Sequence, residues 1–253
     1  MSLFHKTARI LRGGDEKTVT AAVILAAGNS TRMGKNKNKQ LMTVNGIPVL
    51  AHTLMAYQKC DHINHIVVVA RETDFDSILA MRKKYKITKL IKLVCGGKTR
   101  QESAQIGVAN VAPDTKYVAI ADGARCLVTP EQIESVCRAA YKYKAATAAH
   151  RATDTIKIAD KKGFIDSTVD RETVWHAQTP QVFKTKLYRA AAYTALKNGV
   201  EATDDNSLVE NIRHPIRLVE CGTQNIKVTT IDDLIIAEAI IKQRELEASL
   251  EDI

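Results

Sequence analysis

Short runs of aliphatic and β-branched residues recur along this chain, each followed by a segment whose apolar positions return every three or four residues. Ala21-Ala22-Val23-Ile24-Leu25 reads as a buried strand running into a glycine-containing loop. From Pro48, a residue suited to a first helical turn, Leu50, Leu54 and Tyr57 have helical spacing. The pattern then predicts a strand over 65–70, a helix over 74–85, a third strand over 90–94 stopped by Gly96-Gly97, and a helix over 101–111. A fourth strand, Tyr117 to Ala121, ends at Asp122, and a helix over 130–143 follows. This alternation predicts an α/β fold, a mostly parallel sheet with helices on both faces. Ligand sites in such folds lie at the carboxyl ends of strands, which singles out Gly28, Gly96-Gly97 and Asp122.

Residues about 152–172 break the alternation. Thr155 to Ala159, a turn-like Asp160 to Gly163, and Phe164 to Val169 predict a β-hairpin. A two-stranded hairpin is marginal alone in water, so it is expected to pack on something else, a partner subunit being one candidate. The last third predicts a helix over 184–198, a short helix from Asp204, a strand near 216–219, a strand at Asn225 to Thr229, and a closing helix from Asp232. No repeat or low-complexity linker divides the chain, so residues 19–246 read as one domain with the hairpin as an arm.

Composition sharpens this picture in three ways. Aromatic residues make up only 5% of the chain, so the core must come mainly from Ala, Val, Ile and Leu, as in helix-covered parallel sheets. The five cysteines, Cys60, Cys95, Cys126, Cys137 and Cys221, are widely spaced and form no CxxC pair or Cys/His cluster. That pattern supports neither a disulfide framework nor a zinc site, and reduced thiols in the cytoplasm are its simplest account. No apolar run reaches transmembrane length. Residues 1–18 carry Lys6, Arg9 and Arg12 without the apolar segment of a signal peptide, and read as a disordered or artificially added extension. The net charge of +9 suits nucleic acid, an anionic membrane surface or phosphorylated small molecules, or simply a solvated surface. Where the basic residues fall decides among these.

Several fall beside the predicted strand ends. In Leu25-Ala26-Ala27-Gly28-Asn29-Ser30-Thr31-Arg32-Met33-Gly34, a glycine after a strand lets the backbone turn and bring its amides to phosphate oxygens. Arg32, Lys35, Lys37 and Lys39 add charge, making an anion cradle for a nucleoside triphosphate; a plain strand-to-helix turn with solvated lysines is the competing account. Neither GxxxxGK[ST] nor GxGxxG is present. Gly96-Gly97-Lys98-Thr99-Arg100-Gln101-Glu102-Ser103 repeats the logic, with Ser103 as a hydrogen-bonding group, or is a simple loop before a helix. Asp122, beside Gly123 and Arg125, could hold Mg2+ against phosphate oxygens, or could form a turn. Lys227 stands between Ile226 and Val228, where a lysine can also snorkel from an edge strand. His176 is given no role.

Taken in order, LAAG…RMG, Lys39-Gln40, GGxxRxxS, DxAR, VDR…WHxQTPQ, Thr203-Asp204-Asp205 and NIKVT resemble the 2-C-methyl-D-erythritol 4-phosphate cytidylyltransferase family of the non-mevalonate isoprenoid pathway, over roughly residues 20 to 243. Each motif is weak alone; the ordered set is specific. The resemblance implies a Rossmann-like nucleotidyltransferase fold, a CTP site, and a homodimer whose hairpin arm reaches the other subunit. It implies that Arg32 and Lys39 stabilise charge at the α-phosphate, and that Arg171 and Lys227 position the phosphorylated sugar alcohol. Asp122 is similar to the family's metal-binding, substrate-contacting aspartate, with Mg2+ as cofactor. Ala26, Ala27, Gly28, Gly96, Gly97, Ser103 and Gly123 match nucleotide contacts, as does Asp122, while Arg125, Thr179 and Thr203 match positions near the sugar alcohol. Asn38 stands where many relatives have Pro, Lys98 where an acidic residue is familiar, and Gly123 and Cys126 where Ala and Pro are usual. None of these departures removes a charged residue that the chemistry needs.

The reaction so implied joins CTP and 2-C-methyl-D-erythritol 4-phosphate, giving 4-diphosphocytidyl-2-C-methyl-D-erythritol and pyrophosphate. A ribitol 5-phosphate cytidylyltransferase is the neighbouring alternative, since the same cations serve either acceptor. A basic nucleic-acid-binding module lacks support, because no aromatic platform or basic recognition helix occurs. A non-catalytic dimeric relative is disfavoured by retention of Arg32, Lys39, Asp122, Arg171 and Lys227. Neither a nucleic-acid partner nor a membrane is expected.

Overall fold

A computed structural model of the chain describes residues 18–28 and 39–251. The predicted extension up to residue 17, and Arg32, Lys35, Lys37 and Asn38 of the first loop, lie outside the described residues. In chain order the elements are β1 (Thr20–Leu25), a short hairpin of β2 (Thr43–Val44) and β3 (Ile47–Pro48), α1 (Val49–Lys59), β4 (His65–Ala70), α2 (Phe75–Lys84), β5 (Leu90–Cys95), α3 (Arg100–Ala109), β6 (Tyr117–Asp122) and α4 (Pro130–Tyr143). There follow β7 (Ala145–Arg151), β8 (Lys157–Ala159), β9 (Ile165–Thr168), β10 (Trp175–Lys184), α5 (Thr185–Lys197), α6 (Asp205–Asn211), β11 (Arg217–Glu220) and α7 (Ile231–Glu251).

Seven of these strands form one sheet in the order β11-β7-β10-β6-β1-β4-β5. β1 pairs in parallel with β4 and β6, and β4 with β5; β10 runs antiparallel between β6 and β7. Because side chains alternate along a strand, β1 feeds both faces. Ala22 and Ile24 join the core under α1, α2 and α4, with Leu50, Leu54, Tyr57, Ile78 and Ile133. Ala21, Val23 and Leu25 join the core under α3, α5 and α6, with Val108, Tyr188, Ala191 and Leu208. A third apolar cluster seats α7, through Ala237, against Leu127, Cys126 and Val228. α3 lies close on the sheet because Gly107 has no side chain: a Cβ there would stand 2.3 Å from Val23 Cγ1.

Local chemistry explains several boundaries. Thr129 and Gln132 form a reciprocal capping box at the start of α4, with Pro130 in its first turn. Asp204 caps α6 by accepting from the Ser207 amide at 3.0 Å. The arm is the expected hairpin: β8 and β9 pair antiparallel, and Asp160 Oδ1 accepts from the amides of Lys162 and Phe164 across its turn. Both strands are exposed, with Ile158, Phe164 and Ile165 facing solvent.

The fold departs from the sequence reading at four places, the short β2–β3 hairpin being the smallest of them. β7 and β10 are strands that the pattern did not single out. β7 is Ala145-Ala146-Thr147-Ala148-Ala149-His150-Arg151, poor in residues that favour strands, and β10 contains Pro180, which normally argues against a central strand. The β7–β10 register is interrupted between Ala177 and Gln181, which accommodates the proline. Asn225 to Thr229 is not a strand but an extended loop, pinned by the Val228 amide donating to Ala124 O at 2.9 Å.

Candidate active site

β1 is the switch point of the sheet: from it the chain moves outward to β4 and β5 on one side and to β6 on the other. The loops beyond the carboxyl ends of β1, β5 and β6 therefore diverge and leave a crevice. A cleft of about 390 Å3 opens there, lined by Ala27, Gly28, Lys39, Gly97, Ser103, Asp122 and Lys227, with Lys98, Thr99 and Arg100 from the start of α3.

Each wall follows from local sequence. Ala26, buried, donates its amide to Val69 O at 2.7 Å, so the chain leaves β1 in register and releases Ala27 and Gly28 to the cleft. Among the described residues, nothing lies within 4 Å of where a Cβ on Gly28 would be. Lys39 is steadied by its neighbour Gln40, whose carbonyl accepts from the Leu50 amide at 3.1 Å. At the second wall, a Cβ on Gly96 would lie 2.4 Å from Ala27 Cβ, so a glycine is what lets the two loops touch. Ser103 Oγ accepts from the Gly97 amide at 3.1 Å and donates to Thr99 O at 2.9 Å, folding the glycine loop over the helix start. The Lys98 amide donates to Glu102 Oε2, which leaves the Lys98 side chain exposed at the rim. Gly123 packs rather than lines: its Cβ would meet Leu50 Cδ1 at 3.0 Å and Leu25 O at 3.1 Å.

Asp122 is the centre of the arrangement. It is 8% exposed, and among the described residues three cations surround it. Lys227 Nζ lies 2.9 Å from Oδ2, Arg100 Nε 3.5 Å from Oδ1, and Arg125 Nε 3.8 Å from Oδ2. Burial works against its charge, but Lys227, then Arg100 and Arg125, outweigh it and hold the carboxyl below its ordinary pKa. Thr179 accepts from the Asp122 amide at 3.1 Å, fixing the end of β6. Lys227 reaches this point because Asn225, fully buried, donates to Gln178 Oε1 and Thr179 O, while the Asn225 carbonyl accepts from Arg125. Burial lowers the Arg125 pKa more than Asp122 restores it. Behind Arg100 stands a second buried carboxylate, Asp205, at 2.7 Å from Nη1. Among the described residues, Lys39, Lys98, Arg100, Arg125 and Lys227 outnumber the carboxylates of Asp122, Asp205 and Glu102 around the cleft, which keeps an excess of positive charge suited to a polyanion.

The structure brings together Ala27, Gly28, Lys39, Gly97, Ser103, Asp122 and Lys227, with Ala26, Gly96, Gly123, Arg125 and Thr179 directly behind them. It does not bring every expected residue there. Thr203 lines a separate hollow of about 580 Å3 with Thr147, Trp175 and Asn206. Arg171 lies exposed beside the arm, its Nη1 donating to Thr153 O at 3.0 Å, and is not among the residues lining the cleft. Arg32 lies outside the described residues. Arg100 and Asp205 carry more of the site's electrostatics than the sequence suggested. The available signal was a cation directly before a predicted helix, where the helix dipole disfavours positive charge.

Comparison with known proteins agrees with this fold. A family model described as 2-C-methyl-D-erythritol 4-phosphate cytidylyltransferase matches residues 20–243. A protein of that name from Caldanaerobacter subterraneus is 43% identical over 225 residues, covering 88% of this chain and 99% of its own length. Another, from Nostoc punctiforme, is 40% identical over 222 residues, covering 88% and 98%. The crystal structure of 4-diphosphocytidyl-2C-methyl-D-erythritol synthase from Anaerococcus prevotii superposes with a TM-score of 0.80 at 30% identity, over 90% of this chain and 97% of that one.

Proposed function

Because the chain belongs to the 2-C-methyl-D-erythritol 4-phosphate cytidylyltransferase family, we propose that it transfers the cytidylyl group of CTP to 2-C-methyl-D-erythritol 4-phosphate, releasing pyrophosphate. The observation that carries the reading is the buried carboxylate Asp122 at the switch point, ringed by Lys227, Arg100 and Arg125 in a basic cleft.

The chemistry follows from charge. A phosphate oxygen of the acceptor attacks the α-phosphorus of CTP; the new O–P bond forms as the bond to the β-phosphate oxygen breaks, and pyrophosphate carries the electron pair away. The attacking oxygen is already anionic, so no general base is required. What the protein must supply is cationic stabilisation of two anions in approach, held in place before the reaction begins. Lys39 serves the α-phosphate from the first loop, with Arg32 as its partner, and Lys227 receives the acceptor phosphate beside Asp122. Ala26, Ala27, Gly28, Gly96, Gly97, Ser103 and Gly123 shape and line the nucleotide side, while Arg125 and Thr179, directly behind Asp122, support the sugar-alcohol side. Asp122 is the carboxylate that a Mg2+ ion would use in the cleft; among the described residues no group of three or more His, Cys, Asp or Glu side chains accompanies it, so the ion's other ligands would be phosphate oxygens and water. Asp122 would hold it together with phosphate oxygens, and the ion would neutralise charge on the departing pyrophosphate.

Arg171 belongs to the same reading only in a homodimer, where the arm of one subunit would carry it to the other's cleft. The exposed Ile158, Phe164 and Ile165 on the arm support such docking, since a lone hairpin with apolar tips gains by covering them. Five free thiols, four of them buried, support a cytoplasmic location. The deciding experiment is pyrophosphate release with Mg2+, testing CTP, UTP, ATP and GTP against methylerythritol phosphate and ribitol 5-phosphate. CTP with methylerythritol phosphate should be the preferred pair. Preference for ribitol 5-phosphate, or no turnover with any pair, refutes the assignment.

A further inference from the structure

The charge network extends behind the cleft to residues that do not line it. Arg100 opens α3 directly after the N-cap Thr99, a position where the helix dipole disfavours a cation. It is held there from behind. Its Nη1 donates to Asp205 Oδ2 at 2.7 Å, whereas its Nε stands 3.5 Å from Asp122 Oδ1. Asp205 is 1% exposed; its Oδ1 accepts from the Tyr188 hydroxyl at 2.8 Å, and its amide donates to Gln181 Oε1 at 3.0 Å. The carboxylate is therefore held by a side chain from α5, and the backbone that carries it by a side chain from β10, at the start of α6. Arg100 has a short bond to this immobile group and only a long contact forward, while Lys227 holds the short bond to Asp122 at 2.9 Å.

We propose that Asp205 and Tyr188 are positioning residues: they hold Arg100 back from Asp122, so that Asp122 keeps its short bond to Lys227 and is not captured by a single guanidinium. The proposal rests on the cytidylyltransferase reading. An arginine and a carboxylate prefer a two-pronged pairing, and a guanidinium released from Asp205 would adopt it with Asp122 and displace Lys227. Turnover would fall while the nucleotide loops, which Asp205 touches only through Arg100, still admit CTP.

The test is a double-mutant cycle in pyrophosphate release, with CTP and the acceptor varied separately. Asp205→Asn should lower kcat about tenfold while KM for CTP stays within about threefold. In an Arg100→Gln background the same change should cost nothing further, because Asp205 acts through Arg100. Tyr188→Phe removes one hydroxyl and should give a smaller kcat loss that also vanishes in the Arg100→Gln background. It decides the matter alone should Asp205→Asn not fold. Unchanged kcat in the folded variants overturns the proposal, as do losses that multiply with Arg100→Gln, the pattern of a merely structural role. Absence of turnover in the parent protein sinks the functional reading and the proposal together, whereas an active parent with indifferent variants sinks the proposal alone.

Discussion

Replacing Lys227 with alanine removes the cation that makes the shortest contact with Asp122, 2.9 Å from Oδ2. At an effective dielectric of about 20, two unit charges at that distance attract by roughly 6 kcal/mol. Lys227 is partly exposed, at 35% of its side chain, so solvent screens much of this in the resting protein. The larger consequence is for the transition state, where a preorganised cation at the transferring phosphoryl group contributes about 3 kcal/mol. Its loss should lower kcat with CTP and methylerythritol phosphate by roughly 10²-fold. The fold should survive. Arg100 and Arg125, at 3.5 and 3.8 Å, still neutralise Asp122, and the loop carrying residue 227 stays pinned by the Asn225 side chain and the Val228 amide. A stability loss of about 1–2 kcal/mol, read as a Tm lower by roughly 2–8 °C, is the expected structural cost. Continuous pyrophosphate release, with a thermal melt on the same preparation, measures both. A well-folded Lys227→Ala protein with turnover near the parent's would show that the cation at Asp122 does not serve the reaction.

Other perturbations probe separate links. Lys39→Ala should also lower turnover about 10²-fold with little change in melting temperature, since Lys39 lines the cleft rather than the core; the same assay reads it. Gly96→Ala would place a methyl 2.4 Å from Ala27 Cβ and push the two nucleotide loops apart, raising KM for CTP about tenfold through roughly 1–3 kcal/mol of overpacking; an unchanged KM refutes the role of that contact. Arg171→Ala and Lys227→Ala proteins, each nearly inactive, should recover about a quarter of parental activity when unfolded and refolded together, if each site draws Arg171 from a partner; no recovery argues for separate roles. His65 is 7% exposed and its Nε2 accepts from the Ala112 amide at 3.3 Å; burial lowers its pKa from 6.5. Between the lowered folded value and 6.5 the unfolded chain holds a proton that the folded chain lacks, so stability is full above about pH 6.5 and declines below it, by at most about 1.4 kcal/mol per pH unit. Melting curves of the parent and His65→Gln across that range should diverge in slope, and parallel slopes would count against it.

Short-range patterns along this chain were enough to determine the elements whose causes are local. α4 begins where Thr129, Pro130 and Gln132 dictate, and the cores of β1, β4 and β6 are continuous apolar runs that only burial on both faces explains. The glycine loops and Asp122 could be named in advance, because strand ends in an α/β sheet are where sites form. β7 and β10 could not. An alanine-rich segment and one interrupted by Pro180 become strands only because the neighbouring strands and the helices above supply hydrogen bonds and cover, a tertiary override of weak local preference. Lys227 was visible as an odd residue in an apolar stretch, but its bond to Asp122 required the Asn225 loop to be folded against Thr179. Arg100, Asp205 and Tyr188 were legible only as a motif arginine, one of two aspartates and a helix tyrosine. Their joint function depends on α3, α5 and α6 meeting on one face of the sheet, and a buried charge acquires its meaning from the partners that tertiary packing brings to it.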